Sequence, residues 1–201
     1  MSSIAFSPRF LLPAHALGVV SCLLTALVAA AAPGANAWAQ QFEQRRSIYL
    51  EAGHSLDNNG KASTAALGLS LPMQQKLWDG RISMAWNFYL SGWDGDAREG
   101  QRKYYAQIGV VPMFRYHFDE GASPWFVDAG IGASYLHKTY EVGDKRFGSR
   151  WNFSDHLGVG RVFGAQQEQE LGLYVKHVSN AGFKEPNPGE TFLELRYAHT
   201  F

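Results

Sequence analysis

The sequence has 201 residues, enough for one ordinary domain, and carries 18 basic and 18 acidic side chains. A formal net charge of zero argues against a nucleic-acid-binding protein, which normally shows a basic excess. Aromatic residues make up 14% of the chain and glycines number 21. This combination is typical of β-barrels with interfacial aromatic girdles, although a soluble β-sandwich can look similar.

The first 39 residues predict a secretory signal peptide. Arg9 supplies a positive charge, an apolar run extends from residue 17 to residue 32, and Ala37-Trp38-Ala39 offers small residues where signal peptidase reads them. We therefore expect residues 1–39 to be removed and residues 40–201 to form the mature domain. A membrane-anchoring helix is the alternative, but the run is Ala-rich and shorter than the ~20 residues that a span requires.

The only cysteine of the chain, Cys22, lies within the segment predicted to be removed. The mature domain is therefore expected to contain neither disulfides nor thiol chemistry. A lipoprotein would need polar sequence after Cys22, whereas Leu23 and Leu24 follow it.

Segments rich in β-forming residues and separated by Asn, Asp and Gly clusters fill the mature region. They are predicted at residues 46–56, 61–73, 81–90, 103–118, 125–140, 151–163, 170–179 and 191–201. The turn signals between them fall at residues 57–60, 78–80, 93–96, 119–121 and 143–144. Each segment can supply the ~9–11 residues that a tilted transmembrane strand needs.

The last two segments alternate between apolar and polar residues. In the seventh, Leu171, Leu173 and Val175 share one face with His177 and Ser179. A membrane barrel turns such an apolar face toward lipid, whereas a soluble barrel turns it toward the core. The alternation by itself fits both kinds of barrel.

Two observations favour the membrane. A signal peptide precedes a cysteine-free chain of strands, and Phe201 ends an alternating segment in which Leu195 and Tyr197 have the same parity. An aromatic residue that ends such a strand resembles the C-terminal signal of bacterial outer-membrane barrels. The sequence thus predicts an all-β fold, an eight-stranded antiparallel transmembrane β-barrel, spanning the bacterial outer membrane.

A barrel of this size has an interior just wide enough to be filled by side chains, so it is not a pore. Charged residues are expected to fill it as ion pairs, with Glu194 next to Arg196, because buried charges must be paired. The set is Arg115, Asp128, Arg161, Lys176, Glu194 and Arg196. The tryptophans are expected in girdles or facing lipid, namely Trp78, Trp86, Trp93, Trp125 and Trp151.

The stretch His177-Val178-Ser179-Asn180-Ala181 carries the candidate chemistry. Residues two apart on a strand point to the same side, so His177 and Ser179 project together. A serine hydroxyl becomes a useful nucleophile when an imidazole takes its proton. A lone His-x-Ser pair on a strand is more often structural, but polar groups on a lipid-facing stripe are costly unless they have a function.

This stretch, followed by Pro186-Asn187, Gly189 and a glutamate, resembles the motif of the lipid A 3-O-deacylases. Members of this family are outer-membrane enzymes that remove the acyl chain at position 3 of lipid A. The close resemblance covers about 25 residues at the C-terminus, and the strand organisation agrees over the mature chain.

The resemblance implies a role for each matching residue. Ser179 is expected to be the nucleophile, His177 the general base and Glu190 the carboxylate that orients it, with Glu185 as a rival acid in the same loop. Asn187, or backbone N–H groups from Asn180 to Gly182, are expected to stabilise the oxyanion.

The family also implies lipid A or lipopolysaccharide as the substrate, contact with membrane lipids, and neither a cofactor nor a metal. No His-Glu-x-x-His motif or Cys/His cluster occurs, and the other histidines of the mature region are scattered. They are His54, His117, His137, His156 and His199. No nucleic-acid partner is expected, and a homodimer is left open. The alternatives are another barrel lipid hydrolase or acyltransferase, or a structural or adhesive barrel without catalytic activity.

Overall fold

The computed structural model describes residues 45–57, 61–96 and 101–201. The predicted signal peptide, its cleavage site and Cys22 lie outside this part of the chain. Within the described ranges, no helix is both long enough and apolar enough to cross a membrane.

Eight long strands of the described residues form one closed antiparallel barrel, which confirms the predicted fold class. They are β1 (Ser47–Ser55), β2 (Ala62–Leu77), β3 (Ile82–Asp96), β4 (Arg102–His117), β5 (Trp125–Leu136), β8 (Trp151–Phe163), β9 (Gln169–Ser179) and β10 (Glu190–Thr200). Each strand pairs with its neighbour along the chain, and β1 pairs with β10 to close the ring. A 3₁₀ turn, Phe118–Gly121, leads into β5.

Two parts of the barrel differ from the sequence-based expectation. Strand β3 continues through residues 93–96, which were expected to form a turn, and Asp94 there accepts a hydrogen bond from Arg102 of β4. The connection between β5 and β8 contains a small hairpin of β6 (Glu141–Val142) and β7 (Lys145–Arg146). Strands of two residues are too short for period-two alternation to detect.

The connections differ in length at the two ends of the barrel. Short turns at residues 78–81 and 164–168 lie at the end where β1 begins and β10 ends. The longer connections, residues 137–150 and 180–189, lie at the opposite end. Outer-membrane barrels have short periplasmic turns and longer extracellular loops. We therefore call the end with the longer connections the outer end.

The strands turn apolar side chains outward and polar ones inward. In β10, Leu193 and Leu195 are exposed on the outside, whereas Glu194 and Arg196 are buried in the lumen. The same outward exposure holds for a band of large apolar residues, which includes Leu50, Leu67, Leu90, Ile108, Ile131, Leu157 and Leu171. This is the arrangement of a membrane barrel and the reverse of a soluble one.

Ion pairs fill the part of the lumen that lies away from the outer end, as predicted. The Arg115 guanidinium donates to Asp128 at 2.8 and 2.9 Å and to Glu170 at 3.0 and 2.9 Å. The Tyr174 hydroxyl donates to the same Asp128 carboxylate at 2.6 Å. Because the guanidinium is held by two carboxylates at once, the strands that carry these groups are joined across the barrel.

Arg196 and Glu194 have different partners from those predicted. Arg196 donates to Glu51 at 2.7 Å, and Lys176 lies 3.7 Å from Glu194. The expectation that Glu194 pairs with Arg196 was therefore wrong. Arg161 was also assigned to the lumen wrongly, because it has the outward parity of β8 and lies over the Trp125 ring.

Trp93 is the exception among the predicted girdle tryptophans. Its side chain is only 1% exposed and packs edge-on against Tyr140 and Phe192 inside the outer end of the lumen. Trp78, Trp86 and Trp151 are exposed, as expected for girdle or lipid-facing residues. These ring contacts join Trp93 of β3 and Phe192 of β10 to the connection 137–150, which carries Tyr140.

Replacing Arg115 by Met should destabilise the barrel by about 3–5 kcal/mol, because Asp128 and Glu170 would stay buried without their cation. Urea unfolding in lipid vesicles, followed by tryptophan fluorescence, measures this loss. Arg161→Met is the matched control, since Arg161 lies outside over Trp125, and its cost should be about 1 kcal/mol or less. Equal losses in the two variants would contradict a stabilising role for the lumen ion pairs.

Candidate active site

His177 and Ser179 lie on the outward face of β9, at its outer end. Both side chains are half-buried, and β9 ends at Ser179, where the connection 180–189 begins. The two side chains therefore project together on the lipid-facing wall, as the strand repeat predicts.

A hydrogen bond to the neighbouring strand holds the imidazole ring. His177 lies opposite Thr191 of β10, and its Nδ1 is 2.8 Å from the Thr191 hydroxyl oxygen. When Nδ1 carries the proton and donates it to this oxygen, Nε2 is left as the basic nitrogen. No motif in the sequence singles out Thr191 for this role.

Gly189 lies directly against the ring. A Cβ built on Gly189 would lie 2.7 Å from Cε1 and 3.1 Å from Nε2 of His177, and 3.5 Å from Cβ of Ser179. The backbone there has a φ of +68°, which L side chains rarely adopt. The Nε2 side of His177 and the side chain of Ser179 therefore converge on a position that only glycine fits.

The residues expected to form an oxyanion site hold the connection 180–189 together. The Asn180 side chain donates to the Lys184 carbonyl at 2.7 Å and accepts from the Gly182 N–H at 3.0 Å. The Asn180 N–H itself donates to Oδ1 of Asn187 at 2.9 Å. The N–H groups of Asn180 and Gly182 thus form hydrogen bonds within the loop. Asn187 accepts one of them through Oδ1, and its NH₂ group takes no part in that hydrogen bond.

Glu190 faces the lumen and does not contact His177. Its side chain is buried and accepts hydrogen bonds from the Tyr140 hydroxyl at 2.8 Å and from the Lys145 ammonium at 3.0 Å. Burial and the adjacent Glu190 carboxylate raise the pKa of Tyr140 well above its usual range, so Tyr140 stays a donor. The predicted contact between Glu190 and His177 is wrong, because Glu190 has the inward parity of Glu194.

The rival acid, Glu185, lies in the exposed part of the same connection. Its carboxylate accepts a hydrogen bond from the Asn187 N–H at 3.0 Å, so it too stabilises the loop. The Pro186 carbonyl accepts from the Gly148 N–H at 2.6 Å, which ties this loop to the connection 137–150.

Lys145 connects the hairpin to the segment beneath the site. Its ammonium bridges Glu190 at 3.0 Å and Asp57 at 2.8 Å, at the start of the connection between β1 and β2. Neither the hairpin nor this bridge could be found from the sequence, because no motif surrounds Lys145 and its partners lie far along the chain.

The remaining histidines serve other parts of the barrel. His54 lies on the outside next to Ser63, with Nδ1 3.0 Å from the hydroxyl oxygen, whereas His156 is buried in the lumen beside Ser154. His199 has the outward parity predicted for it. Across the described ranges, no group of three or more His, Cys, Asp or Glu side chains is arranged to hold a metal ion.

These features define a class of protein, a bacterial outer-membrane β-barrel whose candidate site opens on the lipid-facing wall. The chain belongs to the lipid A 3-O-deacylase (PagL) family, whose sequence model matches residues 63–200. This match includes the whole candidate site.

Curated relatives agree with this assignment. The lipid A deacylase PagL of Bordetella bronchiseptica is 36% identical over 122 residues, which are 61% of this chain and 65% of that protein. The lipid A deacylase PagL of Pseudomonas aeruginosa is 35% identical over 137 residues, which are 67% of this chain and 76% of that protein. The chain thus spans about two thirds to three quarters of the length of these relatives.

A solved structure has the same architecture. The crystal structure of the outer membrane enzyme PagL superposes with a TM-score of 0.65 at 28% sequence identity. The superposition covers 76% of this chain and 98% of that one. The likeness extends over nearly the whole of the solved barrel, in agreement with an outer-membrane location.

Replacing Lys145 by Met should free the hairpin from the lumen, because Glu190 would lose its cationic partner. Chymotrypsin should then cut several-fold faster after Tyr140 and Phe147, which are buried in the intact barrel. Arg146→Met, an exposed change in the same strand, should leave the cutting rate unchanged. Equal protection of both variants would show that the ion pair does not hold the hairpin.

Proposed function

We propose that the chain is a lipid A 3-O-deacylase that hydrolyses the ester-linked acyl chain at position 3 by serine catalysis. The observation that carries this proposal is the convergence of Ser179 and the Nε2 side of His177 on Gly189, with Thr191 holding the opposite ring nitrogen. Membership of the PagL family and the names of its curated relatives support lipid A as the substrate.

The surroundings of the site suit a substrate that stays in the membrane. Phe153 of β8 lies opposite Ser179, and its ring centroid is 6.0 Å from that of Phe183 in the neighbouring loop. Phe183 is 83% exposed, which is unusual for a large apolar side chain in water. These rings offer an apolar surface for acyl chains beside the nucleophile, at the end of the barrel that meets the outer leaflet.

The proposed reaction is an acyl transfer in two steps. The Ser179 hydroxyl attacks the ester carbonyl while Nε2 of His177 takes its proton, and His177 then gives that proton to the departing sugar oxygen. A water molecule, deprotonated by His177, then attacks the carbonyl of the acyl-enzyme. The bond between the acyl carbon and the Ser179 oxygen breaks, this oxygen takes the proton back from His177, and the fatty acid is released. The Thr191 hydroxyl oxygen, by accepting from Nδ1–H, keeps Nε2 free for these transfers.

Charge on the ester oxygen requires hydrogen-bond donors during the attack. We assign this role to the NH₂ group of Asn187, with the loop held by Asn180 and Gly182. Donors aimed at a developing oxyanion are worth about 2.7–4 kcal/mol each.

Glu190 contributes to the proposed site through the backbone. It lies between Gly189 and Thr191, the residues that contact the His177 ring, and its carboxylate is fixed in the lumen by Tyr140 and Lys145. Glu190 is therefore proposed as a positioning residue, since its carboxylate does not reach the imidazole.

Replacing Ser179 by Ala should lower the rate of deacylation by roughly 10⁴–10⁶-fold, because the nucleophile is lost. Folded protein in detergent is incubated with lipid A, and the products are identified by mass spectrometry. Wild type should release one hydroxyacyl chain from position 3. Transfer of that chain to a second lipid would instead identify an acyltransferase, and loss of a chain from another position a different hydrolase.

Ser63→Ala provides the matched control. Like Ser179, Ser63 lies on the outside beside a histidine, but this pair is formed by Ser63 of β2 and His54 of β1. Its removal should leave the rate unchanged. Equal activity of wild type and Ser179→Ala would exclude Ser179 as the nucleophile, and an inactive but folded wild type would favour a structural or adhesive barrel.

Replacing Gly189 by Ala should reduce the rate at least 100-fold, because the new Cβ would displace the His177 ring. Gly80→Ala is the control for backbone strain, since Gly80 also has a positive φ, +91°, but a Cβ added there would meet only the flexible Lys76 side chain, at 4.0 Å. The barrel should remain folded in both variants, as judged by its altered mobility on unheated gels. A similar loss of rate in both would attribute the effect to backbone strain.

A further inference from the structure

A carboxylate lies beside His177 on the strand that precedes β9. Asp155 of β8 is the direct cross-strand partner of His177 and shares the outward face with it. Side chains directly opposite each other in an antiparallel pair have Cβ atoms about 4.5–5.5 Å apart. Thr191 occupies the corresponding position on the other flank, so the imidazole lies between a carboxylate and a hydroxyl.

The position of Asp155 is costly for a carboxylate. Its neighbours on the same face of β8 are Phe153 and Leu157, which are exposed apolar residues of the lipid-facing wall. Among the described residues, no Lys or Arg forms an ion pair with Asp155, and the charged partner that acts on it is His177. A half-buried carboxylate on such a wall requires a compensating role.

We propose that Asp155 is a positioning residue of the deacylation reaction, the carboxylate that stabilises the His177 imidazolium. This inference rests on the proposed function. When His177 takes the Ser179 proton, a positive charge forms on the ring next to Asp155. The charge disappears when the proton passes to the departing sugar oxygen, and Asp155 itself exchanges no proton.

The other groups around His177 do not supply the negative charge that stabilises the imidazolium. The Thr191 hydroxyl orients the ring but is neutral. Glu190 and Lys145 also act on His177 from the lumen side, but they lie 3.0 Å apart and largely cancel each other. Asp155 is the carboxylate that approaches the ring from the lipid-facing side.

The test compares Asp155→Asn, Asp155→Ser and Asp155→Glu with wild type over a range of pH. Loss of the charge should lower kcat about 10–100-fold, whereas KM should change less than about twofold, since Asp155 is not placed against substrate. The rate rises with pH as His177 loses its proton. Without Asp155, the midpoint of this rise should move about one pH unit lower. Asp155→Glu should restore most of kcat and the original midpoint.

Asp119→Asn is the matched control, an identical change in the exposed turn at the opposite end of the barrel. It should leave kcat and the midpoint unchanged. Asp155→Asn and Asp155→Ser both remove the charge but differ in side-chain size. A packing defect would affect one of them more than the other and would also change the gel mobility of that variant.

The outcomes separate this inference from the proposed function. If wild type is active, Ser179→Ala is inactive, and both charge-removing variants keep the wild-type kcat and midpoint, the role of Asp155 is overturned while the deacylase assignment stands. If kcat falls without movement of the midpoint, Asp155 has only a structural role and the inference fails. An inactive wild type would overturn the proposed function itself.

Discussion

The two-residue repeat of the strands governs the rest of this structure, because every side chain of a closed barrel faces either lipid or the lumen. In β9 and β10 the repeat places His177, Ser179 and Thr191 outside, and Lys176 and Glu190 inside. The candidate site and the charged lumen are thus two faces of the same strands. A change of register by one residue would exchange them, so whatever fixes the register also fixes the chemistry.

The lumen fixes that register with groups that are costly to misplace. Arg115 meets two carboxylates, and Arg196 lies between the rings of Tyr49 and Tyr174, at 4.3 and 4.0 Å from their centroids. A slipped strand would leave such charges buried without partners, at a cost of several kcal/mol. At the outer end, the hairpin of β6 and β7 adds the Lys145 bridge. The lipid-facing site therefore lies on a wall that is braced from within.

Much of the fold and part of the site could be predicted from the sequence, because the strand repeat needs no knowledge of partner strands. It locates the strands and the outward His177 and Ser179. The same parity places Glu190 in the lumen, where its carboxylate binds Tyr140 and Lys145 and does not reach His177. The partners of His177 could not be predicted, since the residue of β8 that lies opposite depends on the register across the turn 164–168. The inward orientation of the Trp93 side chain likewise depends on its packing against Tyr140 and Phe192, which are distant in sequence.

The opening of the candidate site on the outer wall has a kinetic consequence. A substrate that approaches Ser179 from the side travels within a two-dimensional fluid, and its concentration is a surface density. The rate of the proposed reaction should follow the mole fraction of substrate among the surrounding amphiphiles, and added inert lipid should lower this rate even when the bulk concentration is unchanged. The membrane is then the solvent of the proposed reaction, and Phe153 and Phe183, whose ring centroids lie 6.0 Å apart on this wall, face that solvent.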